Sequence, residues 1–268
     1  MTEEALQYNM LYSCSHKQKR ATEQFAAEHA LSYVISGEVH IYTNHFEHVG
    51  KRGTIGLFRK NQLVKATKLP EPDGTPCASM TIFLSDSILR KYASENNIHI
   101  DKKYTGDPAI ELTKDQFIKA FFDSVRPYLD QEGQMTKSMA DLKTREIIEL
   151  LLRANPMLKD FLFDFSEPHK IDLESFMNQN FTYNVRMSQF AKMTGRSLAT
   201  FKRDFKKIFS VSPEKWLLNK RLEQAHFLIE QKHQPLSSVY LDVGFENMSH
   251  FSFSFKKLFG YNPSVITT

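Results

Sequence analysis

The sequence predicts an α+β protein, with a small β-barrel and a helical tail at the N-terminus and an all-α domain at the C-terminus. Three observations support this fold class. Apolar and polar residues alternate between residues 29 and 84, as they do in half-buried strands, and from 85 to 155 the apolar residues recur at helical spacing. Beyond residue 188, one helical pattern is written twice.

The composition is that of a globular protein without a targeting or membrane segment. The chain has 268 residues, of which 41% are apolar and 25% charged, and this length suits about two domains. Its acidic start, MTEEALQYNM, lacks the order of a signal peptide, and no apolar run is long enough to span a membrane. Cys14 and Cys77 lie far apart without metal-type spacing. We expect a cytoplasmic protein with two reduced thiols, no membrane partner and no cofactor.

Charge is divided unevenly along the chain. From residue 170 onward there are 14 Lys and Arg against 8 Asp and Glu, a net +6, whereas the preceding part has 21 against 23, a net −2. A basic C-terminal part favours a polyanionic partner, with nucleic acid ahead of an anionic membrane.

The segment ALSYVISGEVHIYT predicts a β-hairpin that turns at Gly37. The residues expected on its inward faces are Leu31, Tyr33, Ile35, Val39 and Ile41. Further strands up to Leu84 bring the total to about five or six, which suggests a small barrel or sandwich. Such a barrel either encloses one small ligand or is filled by its own side chains.

The histidines of this region do not suit a metal site. A cupin-type site needs two His one residue apart on a strand, because alternate residues point into the same cavity. Here His40 is followed by Tyr42, and His45, Glu47 and His48 fall in a predicted turn. We therefore predict no metal ligand and no catalytic residue.

Three amphipathic helices follow the strands. The first is SDSILRKYASENN, and the second is TKDQFIKAFFDSVRPYL, capped by Thr113, with Phe117, Phe121 and Val125 on one face. The third, KSMADLKTREIIELLLRANP, carries a stripe of Leu142, Arg145, Ile148, Leu151 and Leu152. These stripes either complete the core, which we favour, or pair with a second copy of the chain.

The duplicated unit lies between residues 188 and 263. FKRDFKKIFSVSP, from Phe201, recurs fifty residues later as FSFSFKKLFGYNP. Each copy has a short helix, a Gly and a longer helix, which is the helix-turn-helix pattern. Predicted caps and breaks are Ser188, Gly195 and Ser197 in the first copy, and Ser237, Gly244 and Asn247 in the second, whose turn is one residue longer.

The first long helix has an apolar face and a basic face. At about 100° per residue, Phe201 and Phe205 share one face, and Ala199, Lys202, Arg203 and Lys206 lie off it. A basic free face suits the major groove of DNA. A single helix of this kind would more often be an ordinary solvated surface, but the repetition favours DNA binding.

A long helix is predicted between the two copies. Pro213 suits its first position, and EKWLLNKRLEQAHFLIEQK continues without Gly or Pro for roughly 28 Å. A connector of that length can hold two DNA-binding helices about one turn of DNA apart, roughly 34 Å.

The runs RLEQAHFLI from Arg221 and VGFENMSHFSFSFKKLFGYNP from Val243 closely resemble the C-terminal signature of the AraC/XylS family of bacterial transcription regulators. The resemblance covers residues 172–266. It implies binding to double-stranded promoter DNA, RNA polymerase as a partner, and activation rather than repression. ALSYVISGEVHIYT more distantly resembles the cupin-like sensor arms of this family, closest to those of secretion-system regulators. The effector implied at the N-terminal domain is a small molecule or a protein.

The basic face and the resemblance together give a set of candidate DNA-binding residues on the two copies. They are Arg196, Ala199, Lys202, Arg203, Lys206, Lys207, Ser249, His250, Ser252, Phe253 and Lys256. Two positions depart from the family pattern: Tyr240 replaces a small Ala, and Phe253 stands where the first copy has Arg203. We therefore expect the first unit to carry more of the sequence specificity.

The sequence thus predicts a DNA-binding transcription regulator that inserts helices at 197–208 and 247–258 into adjacent major grooves. Its predicted domains are an effector- or partner-sensing domain at 1–110, a helical dimerisation and linker region at 111–169, and a DNA-binding domain at 170–268. A homodimer through the helices at 113–154 is a hypothesis. The alternatives are a cupin-type metalloenzyme fused to a DNA-binding tail, and a β domain that binds proteins without a small-molecule cavity.

Overall fold

The chain folds into two compact units in a computed structural model that describes residues 2–20, 24–43, 46–100, 103–130, 134–166 and 168–267. Unit 1 comprises Met1–Ala21 and Ala26–Ser166, and unit 2 comprises Thr22–Phe25 and Glu167–Thr268. Within the described ranges, no helix combines the length and the apolar character that crossing a bilayer requires.

Two antiparallel sheets form the β part of unit 1. The strands are β1 (Thr2–Gln7), β2 (Met10–Ser15), β3 (Lys19–Arg20), β4 (Gln24–Ala26), β5 (His29–Ser36), β6 (Glu38–Tyr42), β7 (Glu47–Lys51), β8 (Ile55–Phe58), β9 (Gln62–Leu69), β10 (Cys77–Leu84) and β11 (Ala109–Glu111). One sheet has the order β1-β2-β10-β5-β8-β11, and the other runs β3-β9-β6-β7, with β4 also paired to β9. The predicted fold class is confirmed, with two sheets in place of a single closed barrel.

The predicted hairpin of residues 30–43 is wrong in its pairing. Strand β5 pairs with β10 and β8, whereas β6 pairs with β7 and β9 in the other sheet. The chain changes sheets at Gly37, whose φ is +71° and whose added Cβ would lie 2.5 Å from the Leu69 carbonyl oxygen. Alternation of apolar residues defines the two faces of a strand, but it does not define the strand's partner.

Strands β1 and β2 were not predicted. They pair in the register Leu6↔Leu11, and β2 also pairs with β10, so β1 becomes the edge strand of the larger sheet. The sequence TEEALQ lacks the apolar alternation of a half-buried strand, so its pattern does not predict β1. The ladder with β2 and a hydrogen bond from the Gln7 side chain to the Tyr128 carbonyl at 3.4 Å hold this strand in place.

The helices of unit 1 share one core with the larger sheet. They are α1 (Asp86–Glu95), α2 (Gln116–Asp130), α3 (Lys137–Ala154) and α4 (Leu158–Phe163). Leu31 and Ile82 of the sheet meet Phe121, Ile147 and other apolar side chains of the helices, all fully buried. The favoured interpretation of these helices as part of the core is confirmed.

The buried faces of α2 and α3 are rotated about the helix axis relative to the predicted apolar stripes. Phe121, Val125, Ile148 and Leu151 are buried, but Phe117 and Leu142 remain 60% and 61% exposed. On α3, Ala140, Thr144 and Ile147 complete the buried face in place of Leu142 and Arg145, and Leu152 packs against the core while partly buried. A four-residue spacing drifts around the helix, so its two ends cannot both face the core.

The predicted cap at Thr113 is wrong. Helix α2 begins at Gln116, and the carboxylate of Asp115 accepts hydrogen bonds from the N–H groups of Phe117 and Ile118 at 2.9 and 3.0 Å. The Thr113 hydroxyl instead accepts from the Ile55 N–H at 3.1 Å. It therefore helps to join the helical segment to the sheet.

Unit 2 contains six α-helices and a short C-terminal 3₁₀ helix in the described part. The bounds are α5 (Leu173–Asn180), α6 (Met187–Met193), α7 (Leu198–Phe209), α8 (Pro213–Glu230), α9 (Leu236–Asp242), α10 (Met248–Phe259) and the 3₁₀ helix Pro263–Thr267. The two predicted helix-turn-helix pairs and their long connector are confirmed. The caps at Ser188 and Ser237 are wrong, because α6 follows Arg186 and α9 follows Pro235.

Candidate DNA-binding surface

The two long helices α7 and α10 begin at side-chain caps. The Ser197 hydroxyl accepts from the Thr200 N–H at 3.2 Å, and the Asn247 side-chain oxygen accepts from the His250 N–H at 2.8 Å. Each cap satisfies an N–H group that the first turn of a helix leaves without a backbone partner. Both helices run for 12 residues, so the duplication in the sequence is a duplication of helix length as well.

Helix α7 presents the basic face that the periodicity predicts. Phe201 and Phe205 are fully buried. The predicted contact residues Ala199, Lys202, Arg203, Lys206 and Lys207 are all exposed. Their common exposure leaves this face open to a polyanion.

Helix α10 is less basic on its open face. Phe251 and Phe255 are fully buried, and Ser252 is half-buried. The exposed members of the predicted set are Ser249, His250, Phe253 and Lys256. Phe253 is 69% exposed, which places a large apolar ring on the face where the first copy has a guanidinium.

Each turn depends on a glycine. Gly195 has φ +65°, and a Cβ there would lie 2.4 Å from the backbone carbonyl carbon of His169. Gly244 has φ +90°, and its Cβ would lie 2.4 Å from the Thr182 carbonyl oxygen. Both positions exclude a side chain through close backbone approach as well as through their positive φ.

Arg196 does not lie on the exposed face where it was predicted. Its side chain is 7% exposed, its Nε lies 3.2 Å from the Asp204 carboxylate, and its guanidinium donates to the carbonyls of Ile171 and Thr194. These contacts join the turn between α6 and α7 to the residues just before α5. The Arg196 side chain is therefore buried and bonded within unit 2, unlike the exposed candidates on α7, and its contact with DNA stays a prediction.

Lys202 lies beside a carboxylate of the connector helix. Its Nζ is 2.8 Å from Glu214 Oε1, and the two side chains are 49% and 51% exposed. The hydrogen bond from Lys202 lowers the pKa of Glu214. Sequence periodicity does not predict this pair, because its members belong to different helices.

Arg203 faces a carboxylate that is already shared. Its guanidinium lies 3.5 Å from Asp204, which also receives Arg196 at 3.2 Å and Lys170 at 3.3 Å. Burial raises the pKa of Asp204, but hydrogen bonds from Arg196 and Lys170 hold it below its ordinary value. Because three cations surround one carboxylate, this cluster keeps a positive charge.

Arg221 ties the second helix-turn-helix to the connector and to the loop after α5. It is 9% exposed, and it donates to the carbonyls of Phe181 and Tyr183, both at 2.8 Å, and of Gly244 at 3.0 Å. In the sequence, Arg221 stands out only as the first residue of the motif RLEQAHFLI. Its role was hidden because all three acceptors are backbone atoms distant in sequence.

Aromatic rings attach each long helix to the connector. Phe205 and Phe209 of α7 contact Trp216, with ring centroids 5.6 and 4.8 Å apart. In the second copy, Phe255 and Phe259 contact His226 at 5.9 and 4.8 Å. The repeated phenylalanines therefore do the same packing in both copies, against opposite ends of α8.

The histidines of unit 1 do not come together as metal ligands. His40 bonds Glu38 and Tyr42 along β6, at 3.1 and 3.3 Å. Glu47 and His48 lie in strand β7 and not in the predicted turn, and His45 falls outside the described residues. In the described part of the chain, no three His, Cys, Asp or Glu side chains are grouped as a metal site.

Unit 1 has a cavity of about 350 Å³ beside its last residues, 163–166. Its walls combine apolar and polar side chains, among them Ile98, Ile100, Phe163, Phe165, Lys103 and Asp164. Asp164 is held there by Arg59 at 2.5 Å and by the Ser166 N–H at 3.0 Å. Its volume lies at the lower end of the range of small-ligand sites.

Comparison with protein families gives a match for each unit. Residues 29–162, half of the chain, match the ExsA N-terminal regulatory domain. Residues 190–268 match a helix-turn-helix domain.

The similarity to individual curated relatives covers only part of each chain. The transcriptional regulator ExsA of Pseudomonas aeruginosa is 30% identical over 47% of this chain and 46% of its own length. The thermoregulatory protein LcrF of Yersinia pestis is 32% identical over 34% of each chain. This chain therefore spans less than half the length of these curated relatives. The crystal structure of an apo ToxT variant from Vibrio cholerae covers 97% of both chains at 10% identity, with a TM-score of 0.47.

Proposed function

We infer the function from the premise that this chain belongs to the AraC/XylS family of transcription regulators, with an ExsA-type N-terminal regulatory domain. The proposal is that it binds promoter DNA in a sequence-specific manner, with α7 and α10 inserted into adjacent major grooves. Unit 1 would control that binding.

The basic, exposed face of α7 is the observation that carries this proposal. Lys202, Arg203, Lys206 and Lys207 are exposed together on a helix capped and packed from behind by buried phenylalanines. Arg can donate two hydrogen bonds to guanine, and Lys can donate to base or phosphate acceptors. The connector α8, of 18 residues or roughly 27 Å, suits two helices that follow one face of a duplex.

The finer parts of the proposal concern partners and control. We propose an activator that contacts RNA polymerase, acts in the cytoplasm and forms a homodimer through the helices at 113–154. The effector at unit 1 is a small molecule or a protein. The cavity of about 350 Å³ supports a small molecule.

The assignment of α7 can be tested with Lys202→Ala/Arg203→Ala. Each lost base contact should cost roughly 1–3 kcal/mol of binding free energy, so selectivity for a preferred duplex should collapse while the fold is retained. The measurement is fluorescence anisotropy on a duplex that the wild-type protein enriches from a random library. Unchanged selectivity would refute the assignment.

Lys256→Ala supplies the matched comparison on α10. If Lys256 binds a phosphate, this variant should weaken binding to all sequences alike and flatten the dependence of log K on log salt by about 0.9. A loss confined to the enriched duplex would instead assign Lys256 to a base. Circular dichroism of both variants controls for folding.

A further inference from the structure

We propose that Glu214 is a specificity-determining residue of this DNA-binding surface, acting on Lys202. By cancelling the charge of Lys202 without using all of its N–H donors, Glu214 makes Lys202 a ligand for base edges and not for phosphates. The inference rests on the proposed function and names a residue that the predicted contact set lacks.

The geometry places Glu214 next to the exposed face of α7. Ser212 caps α8, Pro213 begins it, and Glu214 follows, with Oε1 2.8 Å from Lys202 Nζ. Both side chains are about half exposed, so the pair is open to a ligand from the solvent side. Any DNA that Lys202 touches therefore comes close to the Glu214 carboxylate.

An ammonium group has three N–H donors, and a single carboxylate oxygen at 2.8 Å engages one of them. The remaining donors can still reach acceptors such as guanine O6 and N7, which carry no net charge. A phosphate gains from the positive charge of a bare lysine, and it is repelled by the carboxylate behind a paired one. The pair should therefore favour base acceptors over phosphates.

Arg203 provides an internal contrast. Its carboxylate neighbour Asp204 is shared with Arg196 and Lys170, so the positive charge of Arg203 is not cancelled one for one. The two adjacent cations of α7 should then differ in role. Arg203 keeps its charge and should bind phosphates as well as base edges, whereas Lys202 should contribute chiefly to discrimination between sequences.

The test compares Glu214→Gln with Glu223→Gln in the full chain. Glu223 is an exposed residue of the same helix, so both variants change the net charge equally. Two duplexes of about 30 base pairs serve as probes, one enriched by the wild-type protein from a random library and one scrambled from it. Anisotropy titrations between 50 and 200 mM NaCl give the affinities, and circular dichroism verifies that each variant is folded.

Glu214→Gln should bind the scrambled duplex more tightly than wild type, and this affinity should fall by a further factor of about three between 50 and 200 mM salt, as expected for one added phosphate contact. Affinity for the enriched duplex should rise by less, so the ratio of the two affinities falls. The effect should vanish when Lys202 is also changed to Ala, and Glu223→Gln should leave the ratio unchanged.

Equal tightening on both duplexes would overturn the inference, because it would make Glu214 a simple competitor of DNA. A ratio that matches the one for Glu223→Gln would overturn it as well. If the wild-type protein enriches no sequence, the proposed function itself fails. Enrichment by wild type with a silent Glu214→Gln would reject only the role of Glu214.

Discussion

At the scale of the residue, His29 is a buried histidine that the fold keeps neutral. Burial, together with the positive charges of Lys60 and Arg59, lowers its pKa to about 3. Its ring lies 5.1 Å from that of Phe161, and neither ring nitrogen has a hydrogen-bond partner among the described residues. Sequence alternation placed this position at the start of a strand, but it could not show the surrounding charges.

The lowered pKa of His29 predicts a loss of stability in acid. Below pH 6.5 this residue is protonated in the unfolded chain, whereas in the folded chain it stays neutral down to about pH 3. The free energy of unfolding should therefore fall by about 2 kcal/mol between pH 7.5 and pH 5 through His29 alone. In His29→Leu, urea denaturation at the two pH values should show a correspondingly smaller decrease. An equal decrease in both proteins would contradict this account.

The C-caps of the two long helices offer a second test at this scale. Ser210 ends α7 with φ 60°, whereas the equivalent cap of α10 is Gly260 with φ 86°. A left-handed conformation costs an ordinary residue about 1–2 kcal/mol, which glycine avoids. Glycine loses more conformational entropy on folding, so the net stabilisation is smaller than this cost. Ser210→Gly should therefore stabilise unit 2 by about 0.5–1 kcal/mol in urea denaturation. Gly260→Ser should destabilise it, and stabilisation by both changes would refute the argument.

At the scale of the element, the connector α8 is more than a spacer, because Arg221 binds three backbone carbonyls from two other segments. Arg221→Met would leave those buried acceptors without their charged donor, which should cost about 3 kcal/mol or more. Urea denaturation checks this loss. Arg221→Lys should recover part of it, and a loss below about 1 kcal/mol for Met would show that water replaces the guanidinium.

The predicted caps at Ser197 and Asn247 are right, whereas those at Thr113, Ser188 and Ser237 are wrong. Ser197, Ser212 and Asn247 each cap the helix that follows, because a cap needs only a side-chain oxygen and an N–H three residues away. The six-residue helix α4 was missed, although Leu158, Phe161, Leu162 and Phe163 are buried. A helix that short has less than two turns in which to show a period, and tertiary packing stabilises it.

At the scale of the whole molecule, the dimer remains a prediction. Phe117 on α2 and Leu142 on α3 stay exposed after the core is complete, and the guanidinium of Arg153 covers the Phe117 ring at 3.8 Å. If these side chains meet a second copy, the chain should sediment as a dimer at micromolar concentration. Phe117→Ser/Leu142→Ser should shift it to a monomer without unfolding it. A wild-type monomer under those conditions would reject the hypothesis.

The DNA-binding surface shows where prediction from sequence succeeds and where it stops. Lys202 and Arg203 were placed correctly on an exposed face, because helical geometry alone separates them from Phe201 and Phe205. The burial of the Arg196 side chain was not predicted, because its acceptors at Ile171 and Asp204 come from a loop and a helix that only the fold brings beside it. The pairing of Glu214 with Lys202 depends on the fold for the same reason.

By itself, the sequence determined the duplicated helix-turn-helix pair, the connector between them and the basic face of the first copy. Those features follow from caps, glycines and periodic apolar residues that act within a few residues of one another. The tertiary structure alone decided which sheet each strand joins, which arginines become internal braces and which carboxylate meets Lys202. These outcomes depend on contacts between residues far apart in the chain, and local pattern carries no information about such distances.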